Sequence, residues 1–151
     1  MGAKNRVLRW IEKSYGVLGF VMSIWKSSTL ESKSPWGSIV SIQTPFGMNG
    51  KILYFEKGKR NSLKYYVQRN QCLYCLSGKL IVTAPQEFEF GNVINQTEGS
   101  VFELNPGEII LIQARNPYRV KALEDSVLVE VLLGGNFSDD IVMLDDDYGR
   151  I

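Results

Sequence analysis

From residue 36 onward, short apolar runs alternate with turn signals, and this pattern predicts β-strands with a period of two. The predicted strands are residues 37–43, 51–56, 72–76, 80–84, 101–104, 108–112, 118–122 and 127–133. Ser77-Gly78 lies between two of these runs and predicts a tight hairpin. No helical period of convincing length is present in this part of the chain. Many short strands at this spacing predict an all-β protein, with an antiparallel sandwich or jelly roll in one domain.

The first 34 residues differ from this pattern, so we divide the chain into an N-terminal extension at 1–34 and a domain at 35–151. The extension has basic residues around an apolar run at 15–25, which is shorter than the about 20 apolar residues that span a bilayer. We expect the extension to be helical or extended and to pack on the domain. Contact with a membrane surface or a partner is the open alternative. Residues 27–34 are polar and predict a linker, and the expected location is the cytoplasm.

Composition restricts the chemistry. The chain has 151 residues, a formal net charge of +1 and no histidine. A balanced charge gives no field that favours nucleic acid, so no nucleic-acid partner is expected. Histidine is the usual proton shuttle and the commonest metal ligand, so catalysis would need other side chains. Cys72 and Cys75 are three residues apart on a predicted strand and face opposite ways, which disfavours a disulfide or a shared metal.

Several short motifs occur in a fixed order along the domain. They are Pro35-Trp36-Gly37, Ser62-Leu63-Lys64-Tyr65-Tyr66, Ser77-Gly78, Asn105-Pro106-Gly107-Glu108 and the segment from Asp139 to Arg150. Together they resemble the cupin domain of the type II mannose-6-phosphate isomerase family, which also forms the C-terminal part of bifunctional mannose-1-phosphate guanylyltransferases. The resemblance covers about residues 35–150. It implies a single antiparallel jelly-roll (cupin-like) barrel with a central pocket, and sugar-phosphate chemistry in the relatives.

The metal ligands of that family do not carry over. The resemblance places Lys64, Tyr66, Gln71 and Tyr118 at the ligand positions, and only Arg69 matches the family pattern. A divalent metal needs lone-pair donors, whereas a lysine at such a position is a cation. We therefore predict that the metal site is lost and that the protein uses no metal and no cofactor.

The same positions are candidates for ligand binding. Lys64 and Tyr66 are two residues apart and face the same side of their strand. Lys64 is a candidate for binding a phosphate or carboxylate, and the alternative is a lysine in a plugged pocket. Tyr66, Tyr118 and Gln71 either bond a sugar or fill the space of the lost metal. Because no matched position carries a carboxylate, Lys64 is expected to need a ligand anion or solvent.

Three further residues complete the candidate set. Trp36 is predicted either to stack on a sugar ring or to lie in the core or at the rim. Arg69 is expected to add a positive contact at the rim. Arg150 is expected to reach a phosphate or to be solvated. The acidic run at 145–147 lacks the spacing of a calcium loop and is predicted to be a solvated strand end.

The function predicted from these residues is a metal-free, non-catalytic module that binds a sugar phosphate or nucleotide sugar and is linked to polysaccharide or sugar metabolism. The expected partner is an anionic sugar-type small molecule, and a homodimer is expected. One alternative is a metal-independent sugar isomerase or epimerase that uses Lys64 or a tyrosine as acid/base. The other is a structural, oligomerising jelly roll.

Overall fold

The computed structural model describes residues 28–43, 49–89, 92–134 and 140–151, which form eleven β-strands and contain no helix. In chain order these are β1 (Leu30–Ser34), β2 (Gly37–Gln43), β3 (Asn49–Phe55), β4 (Leu63–Tyr66), β5 (Asn70–Ser77), β6 (Leu80–Glu89), β7 (Asn92–Leu104), β8 (Ile109–Ile112), β9 (Arg119–Ala122), β10 (Ser126–Leu133) and β11 (Ile141–Asp145). Branched aliphatic and aromatic residues, which fit a pleated surface, are frequent in these segments. The all-β prediction is confirmed for this part of the chain.

The strands form two antiparallel layers. One is a six-stranded sheet in the order β1-β2-β3-β10-β5-β8. The other combines the three-stranded sheet β7-β6-β9 with the pair β11-β4. Single bridges between Lys64 and Tyr118 and between Arg60 and Lys121 connect β4 and the residues before it to the β9 region. The order of strands in both layers is far from their order in the sequence, as a jelly roll requires.

The two layers enclose one hydrophobic core. Along β10, Leu128, Glu130 and Leu132 are buried, while Val127 and Val129 point outward and are half-buried. Each layer contributes such inward positions, and the core residues are Trp36, Leu53, Phe55, Leu73, Cys75, Leu80, Val82, Leu104, Tyr118, Val120, Ala122 and Leu128. Burying each large aliphatic side chain contributes about 1.5–3 kcal/mol before conformational entropy is subtracted. Glu130 breaks the apolar pattern of β10.

The hairpin predicted at Ser77-Gly78 is wrong. β5 pairs with β10 and β8, whereas β6 pairs with β7 and β9, so the turn carries the chain from one layer to the other. Both edges of β5 already have partners, β10 on one side and β8 on the other. Near the end of β5, Cys75 also exchanges backbone hydrogen bonds with the turn at Gly107 and Glu108. Gly78 has a φ of +82°, and a Cβ there would lie 2.2 Å from the Ser126 hydroxyl. The turn therefore needs glycine for its conformation and for close packing.

At its N-terminal side, the described chain begins with an edge strand. Residues 30–34 were predicted to belong to a linker, but they form β1, which pairs along its whole length with β2. Residues 1–27, with the predicted helical or extended segment, lie outside the described residues. Within the described ranges, no helix is long and apolar enough to cross a membrane.

The acidic run at the end of β11 is a solvated strand end only in part, since the side chains of Asp145 and Asp147 are 42% and 36% exposed but that of Asp146 is not. Its three carboxylates each pair with a different arginine: Asp145 with Arg119 at 3.0 Å, Asp146 with Arg150 at 2.5 Å, and Asp147 with Arg60 at 2.5 Å. The Asp146 side chain is fully buried. It also accepts a hydrogen bond from the Ser62 hydroxyl at 2.8 Å. These contacts hold the C-terminal segment against the chain that enters β4.

Candidate functional site

The inner face of the large sheet changes from apolar to polar along its strands. At one end, Phe55 and Leu53 of β3 face the core with Leu128 of β10. Two residues further along, Lys51 lies directly opposite Glu130 in the β3–β10 register. In the next inward row, Leu132 lies between Asn49 of β3 and Gln71 of β5. The polar end of the interior is therefore formed by three neighbouring strands.

Side chains from the other layer meet this polar end. Tyr118 donates a hydrogen bond from its hydroxyl to Oε1 of Glu130 at 2.9 Å. The ammonium group of Lys51 donates to the Tyr66 hydroxyl at 3.0 Å. Tyr66 and Glu130 are completely buried and Tyr118 nearly so. Burial, with the nearby Glu130 charge, holds the pKa of Tyr118 well above its ordinary value, so this phenol stays a hydrogen-bond donor.

Lys64 lies at the centre of the cluster. Its ammonium nitrogen is 5.8 Å from the ring centroid of Tyr66 and 5.9 Å from that of Tyr118, at distances where a cation interacts with an aromatic face. Burial lowers the pKa of Lys64, and the Glu130 carboxylate partly opposes that effect. The positive charges of Lys51 and Arg150 lower it further. The Lys64 residue is half-buried, and its ammonium group lies among aromatic rings and near other cations.

Glu130 corrects the expectation that this interior lacks a carboxylate. The residue was missed because none of the positions suggested by the family resemblance falls on β10. A signal was present in the sequence, since Glu130 is the single charged residue of a seven-residue apolar strand. Period two places it on the same face as Leu128 and Leu132, which are both buried. The argument that Lys64 must find its counter-ion in a ligand is therefore too strong.

Three buried oxygen atoms in the cluster have no hydrogen-bond partner among the described residues: Asn49 Oδ1, Gln71 Oε1 and Glu130 Oε2. The Gln71 amide donates from Nε2 to the main-chain carbonyl of Arg69. Its other polar atom, Oε1, therefore points away from that carbonyl. Buried polar atoms are normally satisfied by protein, ordered water or a ligand. All three atoms are acceptors, so their complement is a group that donates hydrogen bonds.

Arg69 lies inside the structure and not at a rim. It is buried, and its guanidinium forms an ion pair with Asp140, to which Nε donates at 2.6 Å. Its guanidinium carbon is 4.9 Å from the Tyr66 ring centroid. Its charge is thus paired within the protein, and its direct contact with a ligand anion stays a prediction.

Trp36 lies apart from the polar cluster, whereas Arg150 acts on Lys64 through its charge but is held by partners within the protein. Trp36 is 4% exposed and stacks on Phe55 with centroids 4.5 Å apart, so it belongs to the apolar end of the core. Phe55 is four residues from Lys51 along β3, or about 13 Å, which separates Trp36 from the candidate site. Arg150 donates to the Ser62 hydroxyl at 2.9 Å and pairs with Asp146. A phosphate would have to compete with Asp146 for it.

The positions that the family resemblance assigns to metal ligands carry residues that do not fit a divalent metal. Lys64 supplies a cation, Tyr118 donates its proton to Glu130, and Tyr66 accepts from Lys51. In the described ranges, no group of three or more His, Cys, Asp or Glu side chains is arranged to hold a metal ion. We derive no chemistry through a metal here.

Two surface hollows lie elsewhere. One, of about 240 Å³, is lined by residues that include Arg60, Thr83 and Arg119. The other, of about 570 Å³, lies beside Tyr54 and Asp125. Neither hollow is lined by the residues of the candidate site at the polar end of the interior.

Comparison with known proteins supports the fold. No family model and no curated protein match the sequence. Among solved structures, CapF with the inhibitor 3-isopropenyl-tropolone is similar with a TM-score of 0.61 and 16% identity over 80% of this chain. KdgF from Halomonas sp. is similar with a TM-score of 0.52 and 17% identity. The match covers 73% of this chain and 90% of KdgF. Oxalate decarboxylase from Bacillus subtilis has a TM-score of 0.61 and 18% identity over 77% of the chain.

These neighbours are cupin-fold proteins, so the chain has a cupin-type jelly-roll fold and the predicted fold class is confirmed. The chain spans 35% of the length of CapF and 30% of that of oxalate decarboxylase. The identities are low, so the likeness extends to the fold alone. The closer resemblance to mannose-6-phosphate isomerase domains remains a hypothesis.

Proposed function

We propose that this protein is a non-catalytic cupin that binds an anionic sugar-type molecule at the polar end of its interior, with Lys64 as the main determinant. The observation that carries the proposal is the combination of a desolvated ammonium group with three unpartnered buried acceptors. A hydroxylated anion complements both features, because its charge meets Lys64 and its hydroxyl groups donate to the acceptors.

The charges of the cluster support an anionic ligand. Arg69 is paired with Asp140, and Arg150 is paired with Asp146. Among the described residues, Glu130 is the only carboxylate near Lys51 and Lys64 that is not paired with one of these arginines. The two lysines therefore share its charge. A buried ammonium without a counter-ion costs several kcal/mol, so one further negative charge would stabilise the site.

The acceptors support a ligand with several hydroxyl groups. Leaving a buried acceptor without a donor costs about 1–3 kcal/mol, and Gln71, Asn49 and Glu130 each hold one such atom. Adjacent strands lie about 4.8 Å apart, so β3, β10 and β5 distribute these acceptors over about 10 Å, which calls for a ligand with several hydroxyl groups. Sugar hydroxyls donate at comparable spacings.

The structural neighbours are compatible with a carbohydrate role. CapF of Staphylococcus aureus is a capsular polysaccharide assembling protein, and its similarity to this chain has a TM-score of 0.58. We therefore propose that the ligand is a sugar phosphate or nucleotide sugar of polysaccharide or sugar metabolism, and that the protein works in the cytoplasm. No nucleic-acid partner is proposed.

Thermal-shift screening tests this proposal. Wild type is compared with Lys64→Met in the presence of mannose-6-phosphate, fructose-6-phosphate, nucleotide sugars and neutral mannose. Lys33→Met is the matched control, since the Lys33 side chain is 84% exposed on β1. We expect an anionic sugar to stabilise wild type and Lys33→Met but not Lys64→Met, while Lys64→Met without ligand is at least as stable as wild type. Equal responses from all three proteins, or no response, would favour a structural module.

A second candidate is a metal-independent isomerase or epimerase. It is favoured by the lowered pKa of Lys64, which makes a neutral amine more accessible as a base. Tyr118, which remains protonated, would then be the acid. A coupled assay for interconversion of mannose-6-phosphate and fructose-6-phosphate separates the two candidates. Turnover lost in Lys64→Met supports the enzyme, and binding without turnover supports the module.

A further inference from the structure

The outer face of the large sheet is apolar across five strands. Outward positions alternate with core positions and include Ser38, Gly50 and Asn70. The apolar ones are Val40 and Ile42 on β2, Ile52 and Tyr54 on β3, Val127, Val129, Val131 and Leu133 on β10, Cys72, Tyr74 and Leu76 on β5, and Ile109 and Leu111 on β8. We call these residues the outer apolar face. None of the outward positions on these five strands carries a charged side chain in the described structure.

Such a face is unusual for an antiparallel sheet. One face normally packs on the core and the other is polar where it meets water. The opposite layer carries charged outward residues, since Glu103 of β7 and Lys121 of β9 flank Ile81 of β6. On the large sheet, by contrast, Leu111 is 74% exposed and Ile109 57% exposed. Burial inside this chain's core therefore does not explain the apolar residues.

The size of the face fits a protein interface. Five strands at a spacing of about 4.8 Å are about 24 Å wide, and three outward residues on a strand extend over about 20 Å. The flat area of the face is therefore roughly 500 Å², without the added surface of the side chains. That is at the upper end of the largest apolar patch on a typical monomer. It is of the same order as the about 800 Å² that each partner buries in a stable complex.

The edge of the face has the polar border that interfaces have. Beyond β2 the sheet ends at β1, whose outward residues Glu31 and Lys33 are charged and lie 3.8 Å apart. Near Tyr54 the groove beside the face includes Glu56 and Asp125. A hydrophobic centre with a polar rim is the usual anatomy of a stable interface.

We propose that the outer apolar face is the contact between two copies of this chain, which pack sheet on sheet as a two-fold homodimer. A second copy fits the face better than a polar partner, because a two-fold axis places this patch against itself. Two uncharged faces then meet with no charge buried. Sheets packed in this way lie about 10 Å apart, as in a β-sandwich core.

Sedimentation equilibrium and light scattering on the full chain test the proposal. We expect a dimer for wild type and at least an about 100-fold weaker association for the double variant Tyr54→Lys with Leu111→Lys, since like charges would face each other in the interface. Val101→Lys is the matched control, because Val101 is 55% exposed on the opposite layer. It should remain a dimer. Far-UV circular dichroism checks that each variant keeps its β structure.

A second measurement on wild type does not depend on how the variants fold. Cys72 is on the outer apolar face, whereas Cys75 is buried in the core, and both are free thiols. We expect alkylation of Cys72 to be slow at high protein concentration and to accelerate on dilution as the dimer dissociates. A full chain that is monomeric at all concentrations would overturn the proposal. Residues 1–27 or another partner would then be the candidates for covering the face. A dimer that tolerates the double variant, with alkylation independent of concentration, would overturn it as well.

Discussion

Glu130→Gln is the most informative perturbation of the polar interior. The side chain is completely buried, accepts the Tyr118 hydroxyl at 2.9 Å, and lies opposite Lys51 in the register of β3 and β10. The amide is nearly isosteric and can still accept from Tyr118. The substitution therefore removes the charge that Lys51 and Lys64 share and leaves most of the packing unchanged.

The expected loss follows from the burial of these charges. Breaking a buried ion pair typically costs about 3–5 kcal/mol. Glu130 acts on Lys64 through its charge without a direct ion pair, and Lys64 can lose its proton, so we expect a loss at the low end, about 3 kcal/mol. For a chain of 151 residues this corresponds to a melting temperature lower by about 6–12 °C. Urea unfolding gives the free energy directly. Glu103→Gln is the control, since it removes a surface pair with Lys79 and should leave the unfolding free energy nearly unchanged.

A double variant tests the reasoning more strictly. If Glu130 stabilises mainly by compensating Lys64, Glu130→Gln should cost at least about 1 kcal/mol less in the Lys64→Met background than in wild type, so that the two changes are not additive. A loss for Glu130→Gln no larger than that for Glu103→Gln would refute the reasoning. So would strict additivity of the two interior changes.

Three further predictions test other parts of the structure. Purified protein should contain far less than one zinc, manganese or iron per chain and should melt at the same temperature with a chelator; about one tightly held metal would contradict the interpretation of Lys64. The hydrogen bond from Arg150 holds the pKa of Asp146 below its ordinary value, so the stability that Asp146 contributes is present above its unfolded pKa and lost as pH falls through the folded one. The difference in unfolding free energy between wild type and Asp146→Asn should accordingly shrink from pH 5 towards pH 2, and a constant difference would exclude this coupling. Gly78→Ala should cost more than Gly58→Ala by about 1 kcal/mol or more, because both glycines have positive φ but only at Gly78 would a Cβ clash with backbone; equal losses in denaturant unfolding would contradict the close packing of that turn.

The fold class could be predicted from the chain because its signals are local. Alternation marks the strand from 37 to 43 with the bounds of β2, and Tyr118 to Ala122 differs by one residue from β9. Strand pairing could not be predicted in the same way. Ser77-Gly78 has the composition of a hairpin turn, yet the pairing of β5 is decided by β10 and β8, which are more than 30 residues away in sequence.

The candidate site was predicted in part. Lys64, Tyr66 and Tyr118 do meet, whereas Gln71 lies on the large sheet and donates to the Arg69 carbonyl. Glu130 was missed because its strand lies far along the chain and its contact with Tyr118 depends on how the two layers face each other. The ion pair of Arg69 with Asp140 and the hydrogen bond between Ser62 and Asp146 were missed for a similar reason. Both aspartates lie in the C-terminal segment, far along the chain from their partners.

A crystal structure of the protein with a hexose phosphate tests the central claim most directly. The account predicts an anionic oxygen within about 2.7–3.2 Å of Lys64 Nζ and a sugar hydroxyl that donates to Gln71 Oε1 or Glu130 Oε2. Ordered water alone on these atoms at saturating ligand would contradict it, as would a sugar phosphate bound only in the surface hollow beside Arg119.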